Sequence, residues 1–256
     1  MAPGMHSDPL GGVAREAPAG APADVSAGAS ADVSAVASLD EPTRRRIYDH
    51  VGAQGAPVSR DDVAVALDVP RRTAAFHLDR LAELGLLEVS YGRRTGRTGP
   101  GSGRPAKLYQ RSTRDVAVSL PPRDYDLAGR LLAGAMAQAQ QTGERPREVL
   151  DRQARDLGRA MARERSGGPA DRGATSVLMG LLEDHGFEPR SAAGDIVLHN
   201  CPFHALAREQ AELVCGMNLH LLVGVLEGLG TTGLQARPEP GDSGCCVRLG
   251  QTDTPA

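Results

Sequence analysis

Between Ser59 and Leu87 the sequence spells two short helices joined by a tight turn, and few folds accept that pattern. Ser59 is a helix N-cap, and Asp61 and Asp62 follow it where a helix's positive end favours acidic side chains. Val63, Ala64 and Leu67 form the inward stripe of this helix. Asp68 and Val69 make the turn, and from Pro70 a further helix runs to about Leu84. Its Ala74, Leu78, Leu81 and Gly85 recur at the spacing of one buried face. Gly85 supplies the stop. Ahead of this pair, Asp40 is read as the N-cap and Pro42 as a first-turn residue of a helix reaching about Ala53, with Leu39, Ile47 and Val51 on one face. Behind it, Leu86 to Ser90 and Ala106 to Arg111 read as two strands flanking a glycine- and arginine-rich loop. Three helices and a hairpin in this order predict a winged helix-turn-helix domain over residues 38–115.

The flanks differ in kind. Residues 1–37 hold Ala, Gly, Pro, Ser and Asp with no sustained period, and read as a disordered tail. A second domain is expected over residues 122–250. Helices are predicted for Tyr125 to Gln141, Pro146 to about Arg165 and Ala174 to His185, then a hairpin from Phe187 to Arg190 and Asp195 to His199. One long helix from Leu206 to Leu229 and closing strands at Leu234 to Arg237 and Cys245 to Leu249 complete it. The class is α+β, with a small antiparallel sheet in the second domain. Aromatics are only 3% of the chain and Trp is absent, so both cores must be built from Leu, Val and Ala.

A net charge of −3 argues against general affinity for polyanions, so nucleic acid must be met by a local patch. Such a patch exists. From Gly92 to Arg114 there are seven basic residues and no acidic one, and Arg93, Arg94, Arg97, Arg104 and Lys107 sit on or beside the expected wing. A wing so charged can follow phosphates or enter a minor groove. On the preceding helix, Arg71, Arg72, Thr73, Ala75 and Phe76 occupy the N-terminal part that meets base edges in this motif. Arg72 is suited to a guanine, and Ala75 and Phe76 to thymine methyls. Asp79 and Glu83 read as surface charges, and His77 as a packing residue.

All four cysteines lie in the last quarter of the chain, at Cys201, Cys215, Cys245 and Cys246. Thirteen residues separate the first two and twenty-nine more precede Cys245, which is not the close pairing of a zinc ribbon. Ligands drawn from separate elements suit an iron–sulfur cluster, [2Fe–2S] or [4Fe–4S]. A zinc site completed by His204, or a thiol-redox switch, is the alternative, and four idle thiols the plainest one. Because neighbours on a strand point to opposite faces, only one of Cys245 and Cys246 is expected to reach the centre. No basic stretch followed by an apolar run opens the chain, and Asn218, His220 and Glu227 interrupt its most apolar segment. These features predict a cytoplasmic protein without a membrane span, where clustered cysteines serve as ligands or switches more often than as structural disulfides. No cysteine is paired with a base and an orienting acid, apart from the nearby His204, so an enzyme is not expected.

Three stretches together carry a resemblance: Arg72 to Leu81 with Gly85-Leu86-Leu87, Gly103 to Tyr109, and Asn200-Cys201-Pro202-Phe203-His204 with the later cysteines. The chain resembles the SufR-type branch of the ArsR-like and DeoR-like winged-helix repressors, from about Leu39 to Leu249. That resemblance implies a dimeric repressor, and the apolar stripe of Tyr125 to Gln141 predicts homodimerisation after Pro122 and so a palindromic double-stranded operator. The resemblance also implies an iron–sulfur cluster in the C-terminal domain, held by Cys201, Cys215 and one of Cys245 or Cys246.

Overall fold

A computed structural model describes residues 25–92, 105–166, 173–230, 233–239 and 244–251. Order within these residues starts before the expected boundary. Helix α1 spans Val25–Ser38, and its Ala35 is fully buried in the first core. The alanines that leave this segment without large apolar groups are also strong helix formers, and Ala35 together with the Asp32–Arg114 ion pair docks the helix. The part of the expected tail before Val25 lies outside the described residues.

Helix α2, Pro42–Gly52, begins one residue later than predicted, with Glu41 rather than Asp40 as its cap. The longer Glu41 side chain curls back to accept from the Thr43 and Arg44 amides at 3.0 and 2.6 Å. A two-residue strand β1, Val58–Ser59, leads into α3, Arg60–Leu67. There Ser59 and Asp62 form a reciprocal capping box, each side chain accepting from the other's backbone amide. Asp68 closes α3 in the left-handed conformation at φ 52°. Helix α4, Arg71–Glu83, follows, and strands β2, Leu87–Gly92, and β3, Ala106–Arg111, form the hairpin. The sheet order is β1-β3-β2, all antiparallel. Ile47, Val63, Ala74, Leu78 and Leu81 are fully buried beneath it, together with Tyr109 from β3. This is the winged helix-turn-helix the sequence predicts.

The second half stacks helices α5, Tyr125–Thr142, α6, Pro146–Ser166, and α7, Ala174–Asp184, around a central α9, Ala211–Leu229. A four-stranded antiparallel sheet, order β4-β5-β7-β6, closes one side; its strands are β4 Pro189–Ala192, β5 Asp195–Leu198, β6 Leu234–Pro238 and β7 Val247–Gln251. Helices α6 and α9 approach at backbone distance. A Cβ on Gly224 would strike the Arg155 carbonyl, and one on Gly158 the Leu221 carbonyl. The predicted long helix is broken at Gln210, whose φ −133° and ψ 58° separate a short α8, His204–Glu209, from α9. Helix α9 has the length and apolarity to cross a bilayer. Here it is the core helix, and its polar residues are engaged: Asn218 faces a cysteine, His220 lies 3.6 Å from Asp151, and Glu227 binds Arg155 and Arg159.

Candidate nucleic-acid interface and cysteine centre

Helix α4 presents its first turns outward. Arg71 and Arg72 are exposed, Thr73 and Ala75 half-buried, and Phe76 is 63% exposed. Arg71 is not wholly available, because its guanidinium ion-pairs with Asp61 of α3. That pair spans the turn between the two helices at the surface and leaves Arg72 at the leading edge. His77 is buried and meets the Phe76 ring edge-on at 5.2 Å, with Nδ1 3.4 Å from the Glu41 carboxylate. Burial pushes its pKa down, with Glu41 pulling the other way. The packing role expected for His77 is therefore what the structure displays, and one thing it packs is the exposed aromatic beside it.

Asp79 is the helix-surface charge expected, its side chain 47% exposed, and it has a partner in Lys107 of β3. The two form an ion pair, and the same Asp79 oxygen accepts from the Tyr109 hydroxyl at 2.7 Å. Sequence reasoning missed this because the partners stand 28 and 30 residues apart. The one available signal was that Lys107 is the chain's only lysine. The remaining expected wing contacts, Arg93, Arg94, Arg97 and Arg104, lie outside the described residues.

The cysteines converge from three segments. Cys201 sits in the loop before α8, Cys215 in the second turn of α9, and Cys245 and Cys246 just ahead of β7. Cys215 and Cys246 are joined as a disulfide with Cα atoms 6.3 Å apart. Cys201 and Cys245 are free and hydrogen-bonded to each other. With the first pair bonded, no three His, Cys, Asp or Glu side chains among the described residues are poised around a metal ion. Of the adjacent cysteines, Cys246 lines a cavity with Cys201 and Cys215, and Cys245 stands behind it against Asn218. Strand β7 starts at Val247, so Cys245 and Cys246 escape the two-fold alternation of a strand. Gly244 at φ 86° turns the chain, and the Cys245 amide bonds Leu198 across the sheet. One sulfur then reaches Cys215 and the other Cys201.

The surroundings hold these sulfurs in place. Asn200 donates to the Pro122 carbonyl at 2.9 Å, and Arg123 donates to the Asn200 side chain and, at 3.0 Å, to the Cys201 carbonyl. Phe203 packs edge-on against Phe187 at 6.4 Å and is 1% exposed. The Cys201 thiol is lowered to about 7 by the hydrogen bond with Cys245, helped by the Phe203 amide and Arg123 against the opposing effect of burial. Cys245 is pushed the other way by the same bond and by burial. The shared hydrogen bond therefore acts in opposite directions on the two thiols. On the far side of Cys245, the fully buried Asn218 donates its amide to Sγ at 3.1 Å. Cys201, Cys215 and Cys246 line a cavity of about 890 Å³, whose wall also includes His204, Arg147 and Arg208. His204 is exposed, with its amide bonded to the Cys201 carbonyl at 3.1 Å.

Residues 39–90 match a known helix-turn-helix domain family. No curated protein and no solved structure matches the chain. The matched segment, completed by strand β3, makes the chain a DNA-binding transcriptional regulator of the winged-helix class.

Proposed function

We propose that the chain is a homodimeric repressor whose operator binding is controlled by an iron–sulfur cluster held in the C-terminal domain. The observation carrying this reading is the convergence of four cysteine sulfurs, from three separate segments, beside one cavity. Thiolates are the ligands such clusters use, and ligands on several elements accommodate a bulky group. The residues fit the group in their reduced form. A dithiol that gives up two electrons and two protons converts the Cys215–Cys246 disulfide to two thiols and leaves as its own disulfide. Cys201, Cys215 and Cys246 then face the cavity, with Cys245 behind them between Cys201 and Asn218 and His204 at the rim. When bound, a cluster supplies a redox-active centre whose potential depends on hydrogen bonds to its sulfurs and on solvent exposure. Cys201 shares a hydrogen bond with Cys245, Asn218 orients Cys245, and Arg123 with Asn200 fixes the loop.

One further feature supports dimerisation after Pro122. Helix α5 buries Ala128, Leu131, Ala135 and Ala139 on its own domain, yet Tyr125 and Met136 remain 40% and 49% exposed. A two-fold pair of α4 helices would read half-sites one helical turn or a multiple apart, which is a palindromic operator. The disulfide itself favours a second reading, a thiol-redox regulator without a cluster.

Metal analysis of anaerobically purified protein, with DNA titration, separates the two. Brown protein containing iron and sulfide is expected, and Cys201→Ser and Cys215→Ser should each lose nearly all the iron while the winged-helix domain stays folded. Full iron loading and unchanged operator affinity in both variants would reject cluster control. Colourless protein whose affinity follows the disulfide state would favour the second reading.

A further inference from the structure

We infer that Asp79 is a positioning residue for DNA reading, tying the recognition helix α4 to the root of the wing through Lys107 and Tyr109. The inference rests on the DNA-binding domain alone and is independent of any cluster.

Asp79 follows Arg72 by seven residues, two helical turns on the same side of α4. Its carboxylate would face the nucleic acid's own negative charge if it projected outward. Instead one oxygen accepts from both Lys107 and the Tyr109 hydroxyl of β3. The Lys107 ammonium also lies 5.2 Å from the centre of the Tyr109 ring. Tyr109 is 2% exposed, so it anchors this group of three to the core, and its phenol is pushed up to about 12, first by burial and then by Asp79. The hydroxyl therefore stays a donor at any working pH. A lysine suits this geometry, since its compact ammonium can share a single oxygen with a phenol, whereas a planar guanidinium is built to engage two acceptors.

The location gives the group its consequence. Across the hairpin Lys107 pairs with Tyr91, and Ala106 with Gly92, and these are the last two pairs before the wing loop. The point at which the wing leaves the domain is thus fixed relative to the helix that carries Arg72 and Phe76. The ion pair itself is half-exposed, with side chains 38% and 47% accessible, and pairs of that kind add little to stability. Its effect should appear in how well two reading elements meet one duplex at once. Charge alone predicts the opposite result for Asp79→Asn, since deleting an anion near DNA should tighten binding to every sequence.

The test uses the full chain, a duplex recovered by selection from a randomised library, and a scrambled duplex of the same length, titrated over a range of salt. Asp79→Asn and Lys107→Met should each lower the selected-to-scrambled affinity ratio on the order of tenfold, and the double variant should be no worse than either single. The slope of log affinity against log salt should not change. Tyr109→Phe, which removes only a hydroxyl, should move the ratio the same way by less, and it keeps the test open should Asp79→Asn melt at the assay temperature. If Lys107 were a phosphate contact, Lys107→Met would weaken both duplexes alike and flatten the slope by about 0.9, and Asp79→Asn would tighten both. Either that pattern or an unchanged ratio in all three variants overturns the assignment.

Discussion

The winged helix and the cysteine domain are built on opposite principles. In the first, nearly everything that positions the reading surface lies within a few residues of what it positions. Ser59 caps the helix it precedes, Asp68 ends that same helix, and Arg71 is held by Asp61 one helix back. In the second, the sulfurs at positions 201, 215, 245 and 246 meet only after a helix, a loop and a strand end have been docked on one another. A site of the first kind is fixed by local chemistry and tolerates change elsewhere. A site of the second kind inherits every error in long-range packing.

That difference should show most strongly at Gly224. Its Cβ position is taken by the Arg155 backbone, so α6 and α9 cannot stay in register around a larger side chain. Gly224→Leu should cost the C-terminal domain more than about 3 kcal/mol, since backbone atoms cannot repack as side chains do. Hydrogen exchange resolved by segment should show α6 and α9 opening while α2, α3 and α4 keep their protection. Equal loss of protection in both halves would mean that the chain unfolds as one unit and that the contrast is false.

The same contrast explains what was legible in the sequence. The Ser59 N-cap and the α4 stripe depend on neighbours three to seven residues away, and the return strand Ala106–Arg111 on a hairpin partner across one loop; each appears where expected. The convergence of cysteines was legible only as an unusual distribution. The start of β7 at Val247, which sends Cys245 and Cys246 to different partners inside one site, depends on Gly244 and on pairing with β5 and β6, and no local signal announces it. Helix α1 was missed for a related reason, because a single buried Ala35 leaves no periodic stripe. The Asp79–Lys107 pair was missed inside the better-read half, and it is one of that half's long-range contacts.

A smaller effect is expected at the reading surface itself. Arg72→Ala should relax preference at one base position, losing about 1–3 kcal/mol of discrimination there, and should leave the fold of the C-terminal domain unchanged. Competition titrations with duplexes altered one position at a time would measure it. A uniform loss at all positions would move Arg72 from base reading to backbone contact and weaken the claim that local structure delivers sequence reading.

The smallest effect concerns acid, and it bears on the helix pair that carries the second site. Glu227 on α9 is lowered to about 2, chiefly by its hydrogen bond with Arg155 and further by Arg159, whose Nε lies 2.8 Å away. A carboxyl whose folded value lies below its ordinary 4.5 stabilises the folded state above that ordinary value. The contribution fades as pH falls from about 4.5 toward 2. The side chain is 35% exposed, so solvent screening reduces what the shift alone would suggest, to about 1 kcal/mol or less. Glu227→Gln should therefore match the low-pH stability of the parent but fall below it near neutrality, with the two urea-denaturation curves converging as acid is added. The winged-helix domain, which contains neither partner, should titrate identically in both proteins. Curves that stay parallel from neutrality to pH values near 2 would show that the Arg155–Glu227–Arg159 cluster does not help to hold α6 against α9. Gly158, Gly224 and their close backbone packing would then carry that interface without electrostatic support.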